Sequence, residues 1–268
     1  MNKQGFTLAE MLITVGLIGV IAALTLPGVI KNNQNKVLVS TLQSVVQSVE
    51  QALTNMVTMQ NADSLFETTP WVNGRINTSS STSNKDHFVA ELGKYFVITS
   101  ADTTANAAKN YYGSIKVYGL DNDGSKKVTD VIGQFNDCII LYTKSGAVIF
   151  IRAFDKGDSF ATGGGDNISE SVAFSRQTSL TSNPADIFID VNGKSKPNTV
   201  GRDLFHFYIG PDGILYPYGG KAVGAYEGHQ GASWNGGYAD YQCTDTVKGN
   251  NGWGCTARLI DEGYQMKY

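Results

Sequence analysis

Residues 5–30 decide the fold, and they read GFTLAEMLITVGLIGVIAALTLPGVI. Glu10 stands at the start of an apolar run, residues 11–30, in which twenty consecutive positions carry no charged side chain. A run of about 18 or more apolar residues is long enough to cross the hydrocarbon core of a bilayer as a helix. A carboxylate so close to a bilayer costs about 3 kcal/mol, so we expect Glu10 to have a partner or a function.

The segment in front of the apolar run is short and polar, residues 1–5, with Lys3 as its cation. A secretory signal peptide places the small residue of its cleavage site after the apolar core, which is then removed. Here the small residue, Gly5, precedes the core. Cleavage after Gly5 would therefore leave the apolar run as the new N-terminus of the chain.

Gly5-Phe6-Thr7-Leu8-Ala9-Glu10 resembles the prepilin-type signal of type IV pilins and type II secretion pseudopilins. The resemblance implies that prepilin peptidase cuts after Gly5 and methylates the exposed amine of Phe6. It also implies that Glu10 guides assembly, and Pro27 stands where family members often carry a helix-kinking proline. A plain membrane anchor with an accidental Glu10 is the alternative. Beyond the first thirty residues the resemblance is architectural.

The second half of the predicted helix, residues 31–60, has a single apolar face. Its apolar residues recur at alternating spacings of four and three: Leu38, Leu42, Val45, Val49, Ala52 and Met56. Such a stripe predicts packing against the protein's own domain, with a free coiled coil as the alternative. Joined to the apolar run, it predicts a helix of roughly 50 residues, with a kink or softening at Pro27 and Gly28.

The remainder of the chain shows the alternation and turn chemistry of antiparallel strands. Strands are predicted at residues 115–118, 138–143, 147–152, 187–191, 204–209 and 214–216. A short helix is predicted at residues 87–96, and polar irregular segments at residues 77–84 and 219–237. A helical pattern followed by strand patterns predicts an α+β fold. In this fold an antiparallel β-sheet packs on the long N-terminal helix and a loop-rich C-terminal region follows.

The resemblance implies the type IV pilin-like form of this fold, with half of the long helix transmembrane. The expected organisation is a leader peptide at residues 1–5, a transmembrane half-helix at residues 6–30 and an amphipathic half-helix at residues 31–60. Residues 61–268 are expected to form an extracytoplasmic α+β domain.

Three cysteines, Cys138, Cys243 and Cys255, allow one intramolecular disulfide and leave one thiol. Their spacing does not settle which two are paired. Residues 244–254 are polar and glycine-rich, so a covalent clip there is plausible, whereas Cys138 begins an apolar strand in which a free cysteine packs as a small buried residue. Many pilins have a disulfide near the C-terminus, so the resemblance also favours Cys243 with Cys255.

Charge and motif content argue against nucleic-acid binding and catalysis. The net charge is −3, so there is no basic surplus to hold phosphates. The three histidines lie far apart in the chain, and no nucleophile or metal-binding signature is present. We therefore expect neither an enzyme nor a resident cofactor.

A calcium site is the one metal alternative that the sequence offers. Asp190, Asn192 and Asp203 could supply oxygen ligands, but two lysines lie between them. We favour a network of turns in which the Asp and Asn side chains cap backbone groups.

The resemblance implies a structural subunit of a type IV pilus-like or type II secretion pseudopilus filament. Its expected partners are homologous pilin subunits, prepilin peptidase and the inner-membrane assembly platform. It would be anchored once in the cytoplasmic membrane with its C-terminal domain outside, and would then enter an envelope or cell-surface filament. The alternative is a minor tip pilin whose residues 221–254 bind a ligand or surface; a membrane-anchored enzyme is the third class.

Overall fold

The computed structural model describes residues 7–72, 82–120, 138–153, 185–217, 243, 252 and 254–268. Two compact units make up the chain, Met1–Val37 and Leu38–Tyr268. The cleavage position at Gly5 and Phe6 lies outside the described residues, as do residues 77–81 of the predicted polar loop and residues 219–237.

Helix α1, Leu8–Met59, is 52 residues long and spans the boundary between the two units. In the first unit its large apolar side chains are exposed, with Leu24 78% accessible. The helix is long and apolar enough to cross a membrane by length and composition. Proline has no backbone N–H, so the helix loses one hydrogen bond at Pro27. The turns on either side of Pro27 keep their backbone hydrogen bonds. The helix continues through Pro27, and a kink or softening at Pro27 and Gly28 stays a prediction.

In the second unit one face of α1 is buried against the sheet, as the stripe predicted. The buried residues are Val39, Leu42, Val45, Val46, Val49, Ala52, Leu53 and Met56. Val39, Val46 and Leu53 widen the predicted face, and Leu38 is only partly buried. A helix lying on a sheet buries a broader stripe than a coiled-coil seam, which explains the additional positions.

Within the described residues the sheet has six antiparallel strands in the order of the sequence, β1-β2-β3-β4-β5-β6. Their bounds are Ile98–Asp102, Ile139–Thr143, Val148–Ala153, Ala185–Asp190, Leu204–Ile209 and Leu215–Pro217. The α+β fold with a long N-terminal helix and an antiparallel sheet is therefore confirmed. It is consistent with a pilin-like fold.

Two strand predictions were wrong. The segment 115–118 is not a strand, because Tyr118 makes a single bridge to Thr199 through two backbone hydrogen bonds. Conversely, β1 was not predicted. Its middle residues, Thr99, Ser100 and Ala101, are small, polar or neutral, and exposed, so no apolar alternation marks them as a strand.

In the part of the chain that the structure describes, a 3-10 helix at Leu65–Glu67 and four short α-helices accompany the sheet: α2 at Thr69–Val72, α3 at Thr82–Leu92, α4 at Ala107–Tyr112 and α5 at Cys255–Asp261. Helix α3 begins five residues before the predicted helix at 87–96 and ends four residues earlier. It includes residues 82–84 of the predicted polar loop, so that part of the loop prediction was wrong. Helix α5 was not predicted.

The sheet is buried on both faces, which explains the nearly continuous apolar composition of its central strands. Toward α1 point Ile139, Leu141, Ile149, Ile151, Ile187, Ile189, Phe205, Phe207 and Ile209. The alternate residues form a second cluster with α4: Ile140, Val148, Phe150, Phe188 and Leu204.

Candidate functional site

The start of α1 holds Glu10, the carboxylate to which the sequence assigned a function. Its Oε2 accepts hydrogen bonds from the backbone N–H and the hydroxyl of Thr7, both at 2.8 Å. The N–H of Glu10 in turn donates to the Thr7 hydroxyl at 3.3 Å. This reciprocal arrangement is a capping box, which satisfies donors that a helix N-terminus would otherwise leave unpaired.

This cap was not predicted, although its signal is present in the sequence. A threonine three residues before a glutamate, directly ahead of an apolar run, is the sequence signature of a capping box. Thr7 thus gives Glu10 a partner within its own chain. Glu10 remains on the exposed surface of α1, where a second partner can reach it.

The proposed calcium ligands lie in the segment between β4 and β5 and are engaged by the protein's own donors. Asp203 is buried, and its two oxygens accept the backbone N–H groups of Asn198 and Thr199, each at 2.6 Å. Asp190 is also buried and accepts the Tyr112 hydroxyl at 2.6 Å. The side chain of Asn192 donates to a backbone carbonyl.

Burial raises the pKa of Asp190 to about 8 and that of Asp203 to about 6, against the opposing effect of these hydrogen bonds. Within the described residues no group of three or more His, Cys, Asp and Glu side chains is placed to hold a metal ion. The geometry therefore favours the turn network over calcium. Calcium binding by Asp190, Asn192 and Asp203 stays a prediction.

The disulfide joins Cys243 to Cys255, with Cα atoms 4.8 Å apart. Cys138 is the free cysteine and is buried at the start of β2. Burial raises the pKa of the Cys138 thiol to about 12, which keeps it protonated and unreactive.

The two histidines among the described residues, His87 and His206, lie in different elements of the fold. His206 stacks on Phe188 with ring centroids 4.1 Å apart, and burial lowers its pKa. Its backbone N–H donates to the hydroxyl of Thr256 in α5 at 3.1 Å. His87 lies in α3, and His229 is outside the described residues.

Residues 1–26 match the family model described as the prokaryotic N-terminal methylation motif. The chain carries a prepilin-type signal. The matched residues include Gly5, Phe6, Thr7 and Glu10, and the match ends one residue before Pro27. No curated protein and no solved structure matches the chain.

The motif confirms the resemblance that the sequence indicated, and supports a type IV pilin-like or pseudopilin-like precursor. This class of signal belongs to structural subunits rather than to enzymes. Together with the exposed apolar half of α1, it indicates anchoring in a membrane. It also implies processing by prepilin peptidase and assembly with other pilins.

Proposed function

We propose that the chain is the precursor of a structural subunit of a type IV pilus-like or type II secretion pseudopilus filament. The observation that carries this proposal is the methylation motif at residues 1–26, which overlaps the exposed apolar half of α1. Prepilin peptidase cuts after Gly5 and methylates Phe6. Residues 6–30 then anchor the subunit by a single pass in the cytoplasmic membrane, with residues 61–268 outside.

Assembly proceeds through α1, whose apolar side chains at residues 8–37 are exposed apart from the partly exposed Ala22. In a bundle of such helices a carboxylate without a partner is unstable. The amine of Phe6 on a neighbouring subunit supplies the partner for Glu10. Homologous subunits and the inner-membrane assembly platform are the partners of this step, and the envelope or cell surface is its destination.

Processing is tested by intact-mass analysis of the chain co-expressed with a prepilin peptidase. We expect a mature chain that begins at Phe6 and carries one methyl group. Gly5→Trp should block the cut, whereas Gly19→Ala, inside the apolar run, should be processed normally. Recovery of the wild-type chain with Met1 intact, or with a start beyond Ile30, would overturn the proposal.

Assembly is tested with Glu10→Ala, compared with Glu91→Ala in α3, a carboxylate of the second unit, as the control. Both variants should be processed, and only Glu10→Ala should fail to enter sheared filaments. Normal filaments from processed Glu10→Ala would show that this carboxylate has no assembly role. Counting the wild-type subunit in the same filaments separates an abundant structural subunit from the tip-pilin alternative, which would be scarce.

A further inference from the structure

The Cys243–Cys255 disulfide lies in a small buried cluster of its own. Both cysteines are 0% exposed, and Leu120 and Tyr268 pack against them. Tyr268 also packs against the large core cluster between α1 and the sheet. It therefore contacts both the disulfide cluster and the main core.

Tyr268 connects two chain segments that lie beside the disulfide. Its hydroxyl donates to the carbonyl oxygen of Gly201 at 2.8 Å and to that of Cys255 at 3.4 Å. Burial raises the pKa of Tyr268, so its hydroxyl stays protonated and able to donate. One side chain thus ties the turn before β5 to the first residue of α5.

Arg258 holds the ring of Tyr268 in this place. The guanidinium carbon lies 5.2 Å from the centre of the Tyr268 ring, within the range of a cation–π contact. The Nη1 atom of Arg258 donates to the carbonyl oxygen of Cys243 at 2.8 Å. Its Nε atom donates to Glu262 at 3.0 Å, which fixes the guanidinium from a second direction.

Gly201 packs directly on the disulfide. A β-carbon at this residue would lie 2.7 Å from Cβ and 2.8 Å from Sγ of Cys255. Its φ of +82° is a conformation that glycine adopts readily and other residues rarely do. The backbone of the turn therefore approaches the sulfur atom more closely than any side chain would permit.

We propose that Tyr268, held by Arg258, acts as a strap that shields the Cys243–Cys255 disulfide from thiol reductants in the folded protein. Reduction by a dithiol requires one of its thiolates to attack a cysteine sulfur, which breaks the S–S bond and releases the other cysteine as a thiolate. The second thiol of the reductant then displaces the remaining cysteine, so the dithiol is oxidised and the disulfide is reduced. The strap prevents the first attack.

The full-length protein in detergent is incubated with dithiothreitol, and new thiols are counted over time as mass-tagged maleimide adducts. Tyr268→Phe removes the two hydrogen bonds but keeps the ring, and should speed reduction about fivefold. Tyr268→Ala removes the ring as well as the hydrogen bonds and should speed reduction of the disulfide further, to at least about tenfold. The matched control is Tyr264→Ala, because Tyr264 packs on the main core as Tyr268 does, and of the two only Tyr268 also packs against the disulfide cluster.

The control should be reduced at the wild-type rate under conditions where circular dichroism shows all variants folded. If Tyr264→Ala accelerates reduction as much as Tyr268→Ala does, opening is global and the strap is refuted. Wild-type rates for both Tyr268 variants would refute it as well. Should Tyr268→Ala fail to fold, Tyr268→Phe against the wild type decides the question. The outcome is independent of filament assembly.

Discussion

The two edge strands of the β-sheet, β6 and β1, protect their unpaired backbone groups in different ways. At the β6 edge, the N–H of Leu215 donates to Glu50 of α1 at 3.0 Å, and Pro217 has no N–H to leave unpaired. Where β6 ends, Thr256 accepts the N–H of His206 in β5. The β1 edge instead has exposed residues and an irregularity in its pairing between Ile98 and Ser100.

The difference shows two physical solutions to the same problem, the exposed backbone of an edge strand. The β6 edge uses side chains from α1 and α5, which are remote in sequence, so its stability depends on tertiary contacts. The β1 edge uses a local bulge, which bends the strand and interrupts a flat template for pairing. Substitutions at the β6 edge should therefore be costly, and those on β1 should not.

The largest expected effect is that of Gly213→Ala, in the turn between β5 and β6. A β-carbon there would lie 3.1 Å from the Leu53 backbone and from Thr54 N in α1, at a φ of +83°. We expect a loss of about 3 kcal/mol in the free energy of unfolding, since overpacking and backbone strain act together. Urea denaturation followed by circular dichroism measures it.

The control for this prediction is Gly146→Ala, in the turn between β2 and β3. Its φ is +87°, but a β-carbon there would meet no atom within 4 Å among the described residues. Only the backbone strain remains, and we expect it to lower the free energy of unfolding by about 1 kcal/mol. If Gly213→Ala and Gly146→Ala lose the same free energy of unfolding, the close contact of this turn with α1 contributes nothing to the stability of the β6 edge.

The next effect is that of Glu50→Ala, which leaves the Leu215 N–H without its acceptor. A half-buried donor without a partner should cost about 1 to 2 kcal/mol. Glu50→Gln keeps an acceptor and should cost less. Glu91→Ala removes a salt bridge within α3 to the exposed side chain of Lys94 and should cost less than about 0.5 kcal/mol. A denaturation midpoint that is lower for Glu91→Ala than for Glu50→Ala would contradict the comparison of edges.

Thr256→Val should have a somewhat smaller effect. The valine has the shape of threonine but cannot accept the N–H of His206, so we expect a loss of about 1 kcal/mol. Thr256→Ser keeps the hydroxyl and should be closer to the wild type. Protection of the His206 amide in hydrogen exchange provides the direct measurement, and unchanged protection in Thr256→Val would disprove the role of this hydroxyl.

A smaller effect is expected from the ionisation of Glu50. Burial raises the pKa of Glu50, partly offset by the hydrogen bond from Leu215. A carboxyl group with a raised folded pKa stabilises the fold below its unfolded pKa, and that contribution is lost as pH rises through the folded value. The wild type should therefore lose stability relative to Glu50→Gln on going from acidic to neutral pH. A constant difference in urea midpoint across that range would contradict this assignment.

The smallest effect is expected at the β1 edge. Ala101→Lys adds a charged side chain at an exposed position and should change the free energy of unfolding by less than about 0.5 kcal/mol. A destabilisation as large as that of Glu50→Ala would mean that the β1 edge also depends on a specific contact, and the contrast between the two edges would disappear.

The features that sequence predicted well are those set by neighbours in the chain. The hairpin of β2 and β3 follows from two apolar runs around Gly146, and the turn before β6 follows from its Pro-Asp-Gly sequence. Strand β1 was missed because pairing with β2, rather than its own composition, makes it a strand. The Thr7–Glu10 cap was visible in the sequence and overlooked.

The sequence by itself determined the membrane-length run, the prepilin-type signal, the buried face of α1 and the order of helix and sheet. These depend on local periodicity and on motifs of a few residues. Only the tertiary structure decided that Glu50 meets Leu215, 165 residues away, and that Tyr268 lies over the disulfide beside Gly201. Such contacts join residues that no local pattern relates, because they form only when the packing of α1, the sheet and α5 brings distant backbone groups together.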